Sequence, residues 1–197
     1  MNIAETPRLK LRLISLADVE PLHGLLYADP EVATPWFGHV KSLRDISGAH
    51  GLLSRIARAA DEPGLLAIER SADYALIGVG GILSLRRAAE RERFAPPRPE
   101  DAVGAVEGRL EGELDIALGR AHWNRGYATE AAQMLVGRGF NSLRFSRIIA
   151  SAGDTNERAT KLLRRLGFRI ERNERADPAT GSAAPGTIGF LDAPGRR

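Results

Sequence analysis

The 197-residue chain contains no cysteine, and only three of its 28 basic residues are lysine. The absence of cysteine excludes a disulfide framework, thiolate metal ligands and a cysteine nucleophile. No apolar run approaches the roughly 18 residues that cross a bilayer, and residues 1–10 lack the apolar core of a signal peptide. We therefore expect a soluble, cytoplasmic protein. Its 27% charged and 43% hydrophobic residues are typical of one ordinary folded domain.

Positive charge is concentrated in one part of the chain. The net charge is +3, yet residues 120–175 hold 12 basic and 5 acidic residues, and the rest is mildly acidic. This asymmetry points to an anionic partner, either nucleic acid or a phosphorylated cofactor, or simply to a solvated surface. A nucleic-acid-binding module predicts exposed aromatic residues among the basic ones. Phe140, Phe145 and Phe168 fall instead at apolar, buried positions, which weighs against it.

Hydropathy patterns predict an α/β (α+β) fold in which strands and helices are mixed. Strands are predicted at 8–13, 65–69, 76–85, 114–118, 147–151, 168–171 and 187–191. Helices are predicted to begin at Ser15, to cover 42–60 and 128–140, and to follow an Asp154–Glu157 capping box, with Gly167 after the last helix.

Two irregular segments are predicted. Pro30, Pro35 and Gly38 indicate a loop that carries Trp36, Phe37 and His39. The charged, proline-containing segment at about 86–112 is predicted to be an exposed excursion within a single domain spanning 1–197. The Gly78-Val79-Gly80-Gly81 cluster lies inside a strand pattern, which favours a bulge or close strand packing over a dinucleotide site.

The sharpest motif covers residues 118–130, LGRAHWNRGYATE, where a predicted strand, a polar loop and a helix follow one another. Gly126 permits close backbone approach, and the unpaired N–H groups of the first helical turn attract anions. Arg120 and Arg125 add positive charge, so a pyrophosphate would fit there. Because any strand–loop–helix with one glycine shares this pattern, an ordinary structural turn is the alternative.

A second motif, residues 156–168 with the sequence NERATKLLRRLGF, follows the next strand. Together with RGYATEA at 125–131, it resembles the GNAT superfamily of acetyl-CoA-dependent N-acetyltransferases. The segments TPRLKLR at 6–12 and IGVGG at 77–81 further resemble its ribosomal-protein N-terminal acetyltransferase branch. The resemblance covers nearly the whole chain outside 86–112. It implies one domain whose central mixed, mostly antiparallel sheet is splayed at the cofactor site and flanked by helices.

The resemblance also implies how acetyl-CoA is held, without a metal. The backbone of Leu118, beside a strand bulge, pairs with the pantetheine arm, and Asn156 hydrogen-bonds the pantetheine or pyrophosphate region. Backbone N–H groups cradle the pyrophosphate at Arg125, Gly126, Tyr127, Ala128 and Thr129. Outer phosphates meet Arg120, Arg125, Arg158 and Lys161. The family's loop usually begins with Gln or Arg where this chain has Trp123.

Direct transfer to an amine requires an ammonium acceptor to lose a proton first. Glu113 and Asp115 share one face of the predicted strand. Glu113 is the preferred base, acting through water, because the resembled branch often has Glu there; an exposed structural carboxylate is the alternative. His122 is a possible base by chemistry, although a loop histidine is expected to be exposed.

No general acid is identifiable, because Leu163 and Ala159 occupy the positions where the family has Tyr and the branch has Ser. A CoA-binding protein without turnover therefore stays open.

The resemblance places the acceptor pocket at Trp36, Phe37 and His39, which a hydrophobic plug between helices would explain equally well. The acceptor is expected to be a protein N-terminus or a small amine. A homodimer is compatible with the sequence, which contains no argument for it.

Overall fold

The structure, a computed structural model, describes residues 2–47, 64–84, 111–153, 155–173 and 186–195. Eight strands form one sheet in the order β1-β2-β3-β4-β5-β6-β8-β7. Neighbouring strands are antiparallel except β5 and β6, which are parallel, so the predicted mixed, mostly antiparallel sheet is confirmed. The strands are β1 (Asn2–Glu5), β2 (Leu9–Leu13), β3 (Leu65–Arg70), β4 (Leu76–Ser84), β5 (Glu111–Leu118), β6 (Arg147–Gly153), β7 (Arg169–Asn173) and β8 (Gly186–Asp192).

Helices cover both faces of the sheet. The first group is α1 (Val19–Leu22), α2 (Pro30–Phe37) and α3 (Leu43–Ser47), and the second is α4 (Tyr127–Asn141) and α5 (Glu157–Arg165). Side chains alternate between the two faces along a strand. In β5, Leu114 and Leu118 pack in the core with α4 and α5, whereas Ala117 packs in the core with α1–α3. Glu113 and Asp115 alternate with Leu114, so their side chains belong to the α1–α3 face.

The loop predicted around Pro30, Pro35 and Gly38 is wrong, because residues 30–37 form α2. Asp29 caps this helix by accepting a hydrogen bond from the N–H of Glu31. Pro30 stands in the first turn, where a helix loses nothing by lacking an N–H, and burial of Val32 and Ala33 holds the helix to the core despite Pro35. Gly38 does end the helix, with a φ of 82°.

Other sequence predictions are partly corrected. The cap of α5 is Asn156, whose Oδ1 accepts from the N–H of Ala159 at 3.1 Å; Asp154 lies outside the described residues. Strand β1 was not predicted. Of the predicted helix 42–60 the structure describes α3, and of the excursion 86–112 it describes the last two residues, which begin β5.

The glycine cluster in β4 reflects close packing, as predicted. A Cβ on Gly81 would lie 1.6 Å from the carbonyl oxygen of Gly64. The pairing of β4 with β5 runs from Gly78↔Leu118 to Ser84↔Gly112 without a register shift, so the bulge expected beside Leu118 is wrong. The sheet opens near Leu118 because the pairing between β5 and β6 ends at Glu113↔Ile149.

Candidate active site

The two parallel strands β5 and β6 pair over their first residues and then separate. Their paired residues end at Glu113↔Ile149, although β5 continues to Leu118 and β6 to Gly153. The N–H of Gly119 donates to Ile77 at 3.0 Å. Because backbone groups alternate in direction along an antiparallel strand, those of Ile116 and Leu118 point away from β4, toward the opening. The strands therefore offer main-chain groups to an extended ligand between them.

The N-terminus of α4 stands just beyond the end of β5. A short 3₁₀ turn (Arg120–His122) leads into it, and Gly126, with a φ of 78°, is its N-cap. The first intrahelical bond joins the N–H of Glu130 to Gly126. Within the described residues no side chain caps this end. The N–H groups of Tyr127, Ala128 and Thr129 therefore point out of the helix along its axis, at the positive end of its dipole. These N–H groups are the donors that the anion site predicted at residues 125–129 requires.

Trp123 joins this loop to both the strand and the second helix. Its Nε1 donates to the carbonyl oxygen of Leu118 at 2.8 Å, and the guanidinium of Arg158 lies 4.4 Å from the centre of its ring. The indole thus brings the first turn of α5 beside the loop. Because the carbonyl oxygen of Leu118 is bound to Trp123, the N–H of Leu118 is the group that Leu118 offers to the opening. Trp123 therefore links β5 to α5, a structural role that the sequence does not predict.

Two of the remaining predicted phosphate ligands, Arg120 and Lys161, have acidic partners of their own. Arg120 approaches Asp29 at 3.4 Å, and Lys161 pairs with Glu157 at 3.0 Å on the exposed side of α5. The side chain of Arg125 is exposed. Asn156 uses its Oδ1 for the cap of α5, so its amide nitrogen is the group available to a ligand.

One predicted acceptor residue, Trp36, contacts a predicted catalytic carboxylate, Asp115, on the α1–α3 face. Glu113 is buried, at 7% exposure, and stands at the last paired position before the strands separate. The half-buried Asp115 accepts a 2.7 Å hydrogen bond from Nε1 of Trp36, whose ring lies 5.6 Å from that of Tyr27. Phe37 is the last residue of α2, and His39 is exposed beyond it. The structure thus brings Trp36 to Asp115 and keeps Glu113 out of solvent, contrary to the exposed-carboxylate alternative.

His122 is half-buried, so the expectation of an exposed loop histidine is wrong. Burial lowers the pKa of His122, and the positive charges of Arg70 and Arg125 lower it further. Its Nδ1 is enclosed without a hydrogen-bond partner in the part of the chain that the structure describes. A cavity of about 300 Å³ opens on the same side of the loop, lined by Pro7, Arg8, Arg70, Ser71, Ala72 and Tyr127.

Thr6 and Arg8 of the TPRLKLR segment contact the start of α4 and the loop before it, a contact that the sequence does not predict. The hydroxyl of Thr6 and the guanidinium of Arg8 both donate to the carboxylate of Glu130 in the first turn of α4. Arg8 also lies over the ring of Tyr127, 5.0 Å from its centre. The sequence signal that could have indicated this contact is the presence of both the TPRLKLR segment and the RGYATEA motif in one chain.

Much of the charge in residues 120–175 is matched within the fold. Arg147 pairs with Asp192 at 2.8 Å, and Arg169 pairs with Glu171. Phe145 and Phe168 are buried and Phe140 packs against the same core, as predicted. These aromatic rings are therefore not available for base stacking. No helix among the described residues has the length and apolarity to span a membrane, and no group of three potential metal ligands occurs among them.

Comparison with known proteins agrees with this architecture. The sequence profile described as an acetyltransferase (GNAT) domain matches residues 8–169. An uncharacterized N-acetyltransferase, p20, of Bacillus licheniformis is 28% identical over 177 residues, which are 87% of this chain and 84% of that protein. The ribosomal-protein-S5-alanine acetyltransferase of Vibrio fischeri superposes with a TM-score of 0.70 at 15% identity, covering 100% of this chain and 99% of that one.

A third similar structure carries ligands. The microcin C7 self-immunity acetyltransferase MccE, in complex with acetyl-CoA and AMP, has a TM-score of 0.66 at 16% identity, covering 95% of this chain and 93% of that one. At these identities the solved structures show the shared fold. The profile match assigns this fold to an acetyltransferase domain. The profile match over most of the length shows that the chain belongs to the GNAT acetyltransferase family.

Proposed function

We propose that this protein transfers an acetyl group from acetyl-CoA to a primary amine, directly and without a covalent enzyme intermediate. The observation that carries the proposal is the parting of β5 and β6 at Glu113, with the uncapped N-terminus of α4 beyond the end of β5. A buried carboxylate therefore stands at the closed end of the opening, and backbone donors stand at its mouth.

The residues present fit a long, phosphate-bearing cofactor. The backbone groups of Ile116 and the N–H of Leu118 can pair with an amide-containing arm, as a neighbouring strand would. The N–H groups at the start of α4 can bind a pyrophosphate, with Arg125 and Arg158 adding positive charge. MccE, which shares the fold, is known in complex with acetyl-CoA. Bound acetyl-CoA supplies the activated acetyl group.

Glu113 is the proposed general base. Its carboxylate, acting through water, accepts the proton of an ammonium acceptor, so that the amine nitrogen presents its lone pair. Burial beside Ile149 excludes bulk solvent from this carboxylate, which keeps the proton transfer inside the site. Asp115, held by Trp36, lies two residues along the same face and orients the acceptor.

The chemical class of the acceptor is inferred from the residues on the α1–α3 face. A carboxylate beside the Tyr27–Trp36 aromatic pair suits a positively charged amine, because both groups attract cations. A protein N-terminus and a small polyamine both satisfy this requirement. The similarity to a ribosomal-protein acetyltransferase supports the first as the substrate to test first.

The decisive experiment measures free-thiol release from acetyl-CoA with N-terminal peptides, polyamines and aminoglycosides. Wild type is compared with Glu113→Gln, which keeps the shape of the side chain but cannot take a proton at neutral pH. We expect turnover with at least one amine class and a loss of about 100-fold in the variant. An equal rate in the variant would remove Glu113 as the base, and calorimetry without acetyl-CoA binding would refute the cofactor.

A CoA-binding protein without turnover is the second candidate, because of one observation. Leu163 is 4% exposed and packs in the core, and Ala159 on the same helix has no hydroxyl. Neither can protonate the departing thiolate, so these two positions supply no general acid. Tight acetyl-CoA binding with no thiol release across the whole amine panel would favour this candidate.

A further inference from the structure

We propose that Arg8 is a positioning residue of the cofactor site: it fixes the Arg125–Gly126 peptide so that the N–H of Gly126 joins the donors at the start of α4. This inference rests on the proposed function and names a residue on β2's N-terminal side, far from the loop in sequence. Arg8 lies 117 residues before Arg125 and 122 before Glu130.

The contacts of Arg8 converge on one turn. Its Nη1 donates to the carbonyl oxygen of Arg125 at 3.0 Å, and its Nε donates to Oε2 of Glu130 at 2.6 Å. The guanidinium plane lies over Tyr127. A Cβ on Gly126 would meet Nη2 of Arg8 at 3.4 Å, which places the guanidinium directly beside this glycine. One side chain thus contacts Arg125, Tyr127 and Glu130 and lies beside Gly126.

Peptide geometry turns the first contact into a directional effect. In a trans peptide the carbonyl oxygen and the following N–H point in opposite directions. Because Arg8 holds the oxygen of Arg125, the N–H of Gly126 must point away from Arg8. Gly126 can adopt the required φ of 78° without a side-chain penalty. If this peptide rotated, its oxygen would face an incoming phosphate and repel it.

Charge provides a second effect. Glu130 stands in the first turn of a helix whose end is proposed to bind a pyrophosphate, where its negative charge would oppose the ligand. Thr6 and Arg8 draw this carboxylate to the β2 side. Burial acts to raise the pKa of Glu130, but the hydrogen bonds from Thr6 and Arg8 outweigh it and hold the pKa below its usual range. Glu130 is therefore charged, and Arg8 compensates that charge.

Arg12 offers a matched control. Arg12 lies in β2, four residues after Arg8, and bonds two carboxylates, those of Asp18 and Glu69, each at 2.8 Å. None of its contacts reaches the loop or α4 in the described structure. Its loss should lower stability without changing the cofactor affinity of the folded protein.

The experiment compares Arg8→Gln with Arg12→Gln by two readouts on the full chain. The first is the dissociation constant of acetyl-CoA by calorimetry. The second, made without cofactor, is hydrogen exchange of the Glu130 amide relative to the Leu135 amide in the same helix. We expect Arg8→Gln to weaken acetyl-CoA binding at least tenfold and to speed exchange of Glu130 about tenfold relative to Leu135. Arg12→Gln should leave both ratios within twofold of wild type.

A double-mutant cycle separates the two effects of Arg8. If Arg8 acted only by neutralising Glu130, the double variant with Glu130→Gln would regain wild-type affinity. We expect it to remain at least threefold weaker, because the Arg125 peptide is still released. Unchanged affinity and exchange in Arg8→Gln, or full recovery in the double variant, would overturn the proposal. If wild type binds no acetyl-CoA, the proposed function fails, and the exchange ratio still decides whether Arg8 orders the loop.

Discussion

Nε1 of Trp36 donates a 2.7 Å hydrogen bond to Oδ1 of Asp115, and so ties helix α2 to strand β5 at the proposed active site. The two residues are 79 positions apart in sequence. Trp36 also packs against the core beneath α1–α3. The bond therefore fixes the position of a carboxylate on the face from which we propose that the acceptor approaches.

Trp36→Phe keeps an aromatic ring but removes the N–H that holds Asp115. We expect a loss of about 1.5–3 kcal/mol in the free energy of unfolding, the usual contribution of a hydrogen bond to a charged group. The KM for the amine should rise, whereas the acetyl-CoA dissociation constant should stay near that of wild type. Asp115→Asn is the matched control, since its amide oxygen can still accept from Trp36. Because Asp115→Asn loses the negative charge, it should still raise the KM for the amine; an unchanged KM in Asp115→Asn would show that the carboxylate does not contact the acceptor.

Gly126→Ala tests the left-handed backbone at the start of α4. An alanine at a φ of 78° costs about 1–2 kcal/mol, although its Cβ would make only an ordinary 3.4 Å contact with Nη2 of Arg8. We expect lower stability together with weaker acetyl-CoA binding, measured by urea unfolding and calorimetry. Gly137→Ala, in the same helix, is the control because a Cβ there meets nothing within 4 Å. That substitution should stabilise the helix by up to about 1 kcal/mol and leave binding unaltered. Equal affinities in the two variants would contradict the assignment.

Asp18 should make stability depend on pH in the acid range. Burial acts to raise its pKa, but hydrogen bonds from Arg12 and Ser15 outweigh this and lower the pKa below its ordinary 3.8. The charged form is thus the one that the fold favours. Its stabilising contribution is complete above pH 3.8 and is lost as the pH falls through the lower pKa of the folded state.

The corresponding variant is Asp18→Asn, followed by urea unfolding between pH 3 and pH 7. It leaves the half-buried Arg12 without this charge partner, so we expect a loss of about 2–4 kcal/mol at pH 7. The gap to wild type should narrow on acidification. A gap of constant size down to pH 3 would show that the titration of Asp18 does not couple to folding.

The strands and the long helix were predictable because their signals are local. Alternating residues in β2 and the apolar stripe of α4 report burial directly. Helix α2 was missed because its two prolines argue for a loop, whereas the cap at Asp29 and the burial of Val32 decide the outcome. The helix start after Gly126 was predictable from the loop motif, and the anion site proposed there stays a prediction. The contacts of Arg8 with Glu130 and of Trp36 with Asp115 were not, because only the sheet order brings these distant residues together.

Trp123 and Trp36 are the two tryptophans of the chain, which makes the fluorescence of single-tryptophan variants informative. In Trp36→Phe the emission comes from Trp123, whose ring lies beneath Arg158 and whose N–H is bound to Leu118. If the cofactor occupies the opening beside this loop, titration with acetyl-CoA should change that emission saturably, with the dissociation constant found by calorimetry. In Trp123→Phe the emission comes from Trp36, on the acceptor side, and should respond far less. Trp123→Phe itself should lose about 1 kcal/mol of stability with the bond to Leu118. A larger response from Trp36 than from Trp123 would place the cofactor on the wrong side of β5 for this site.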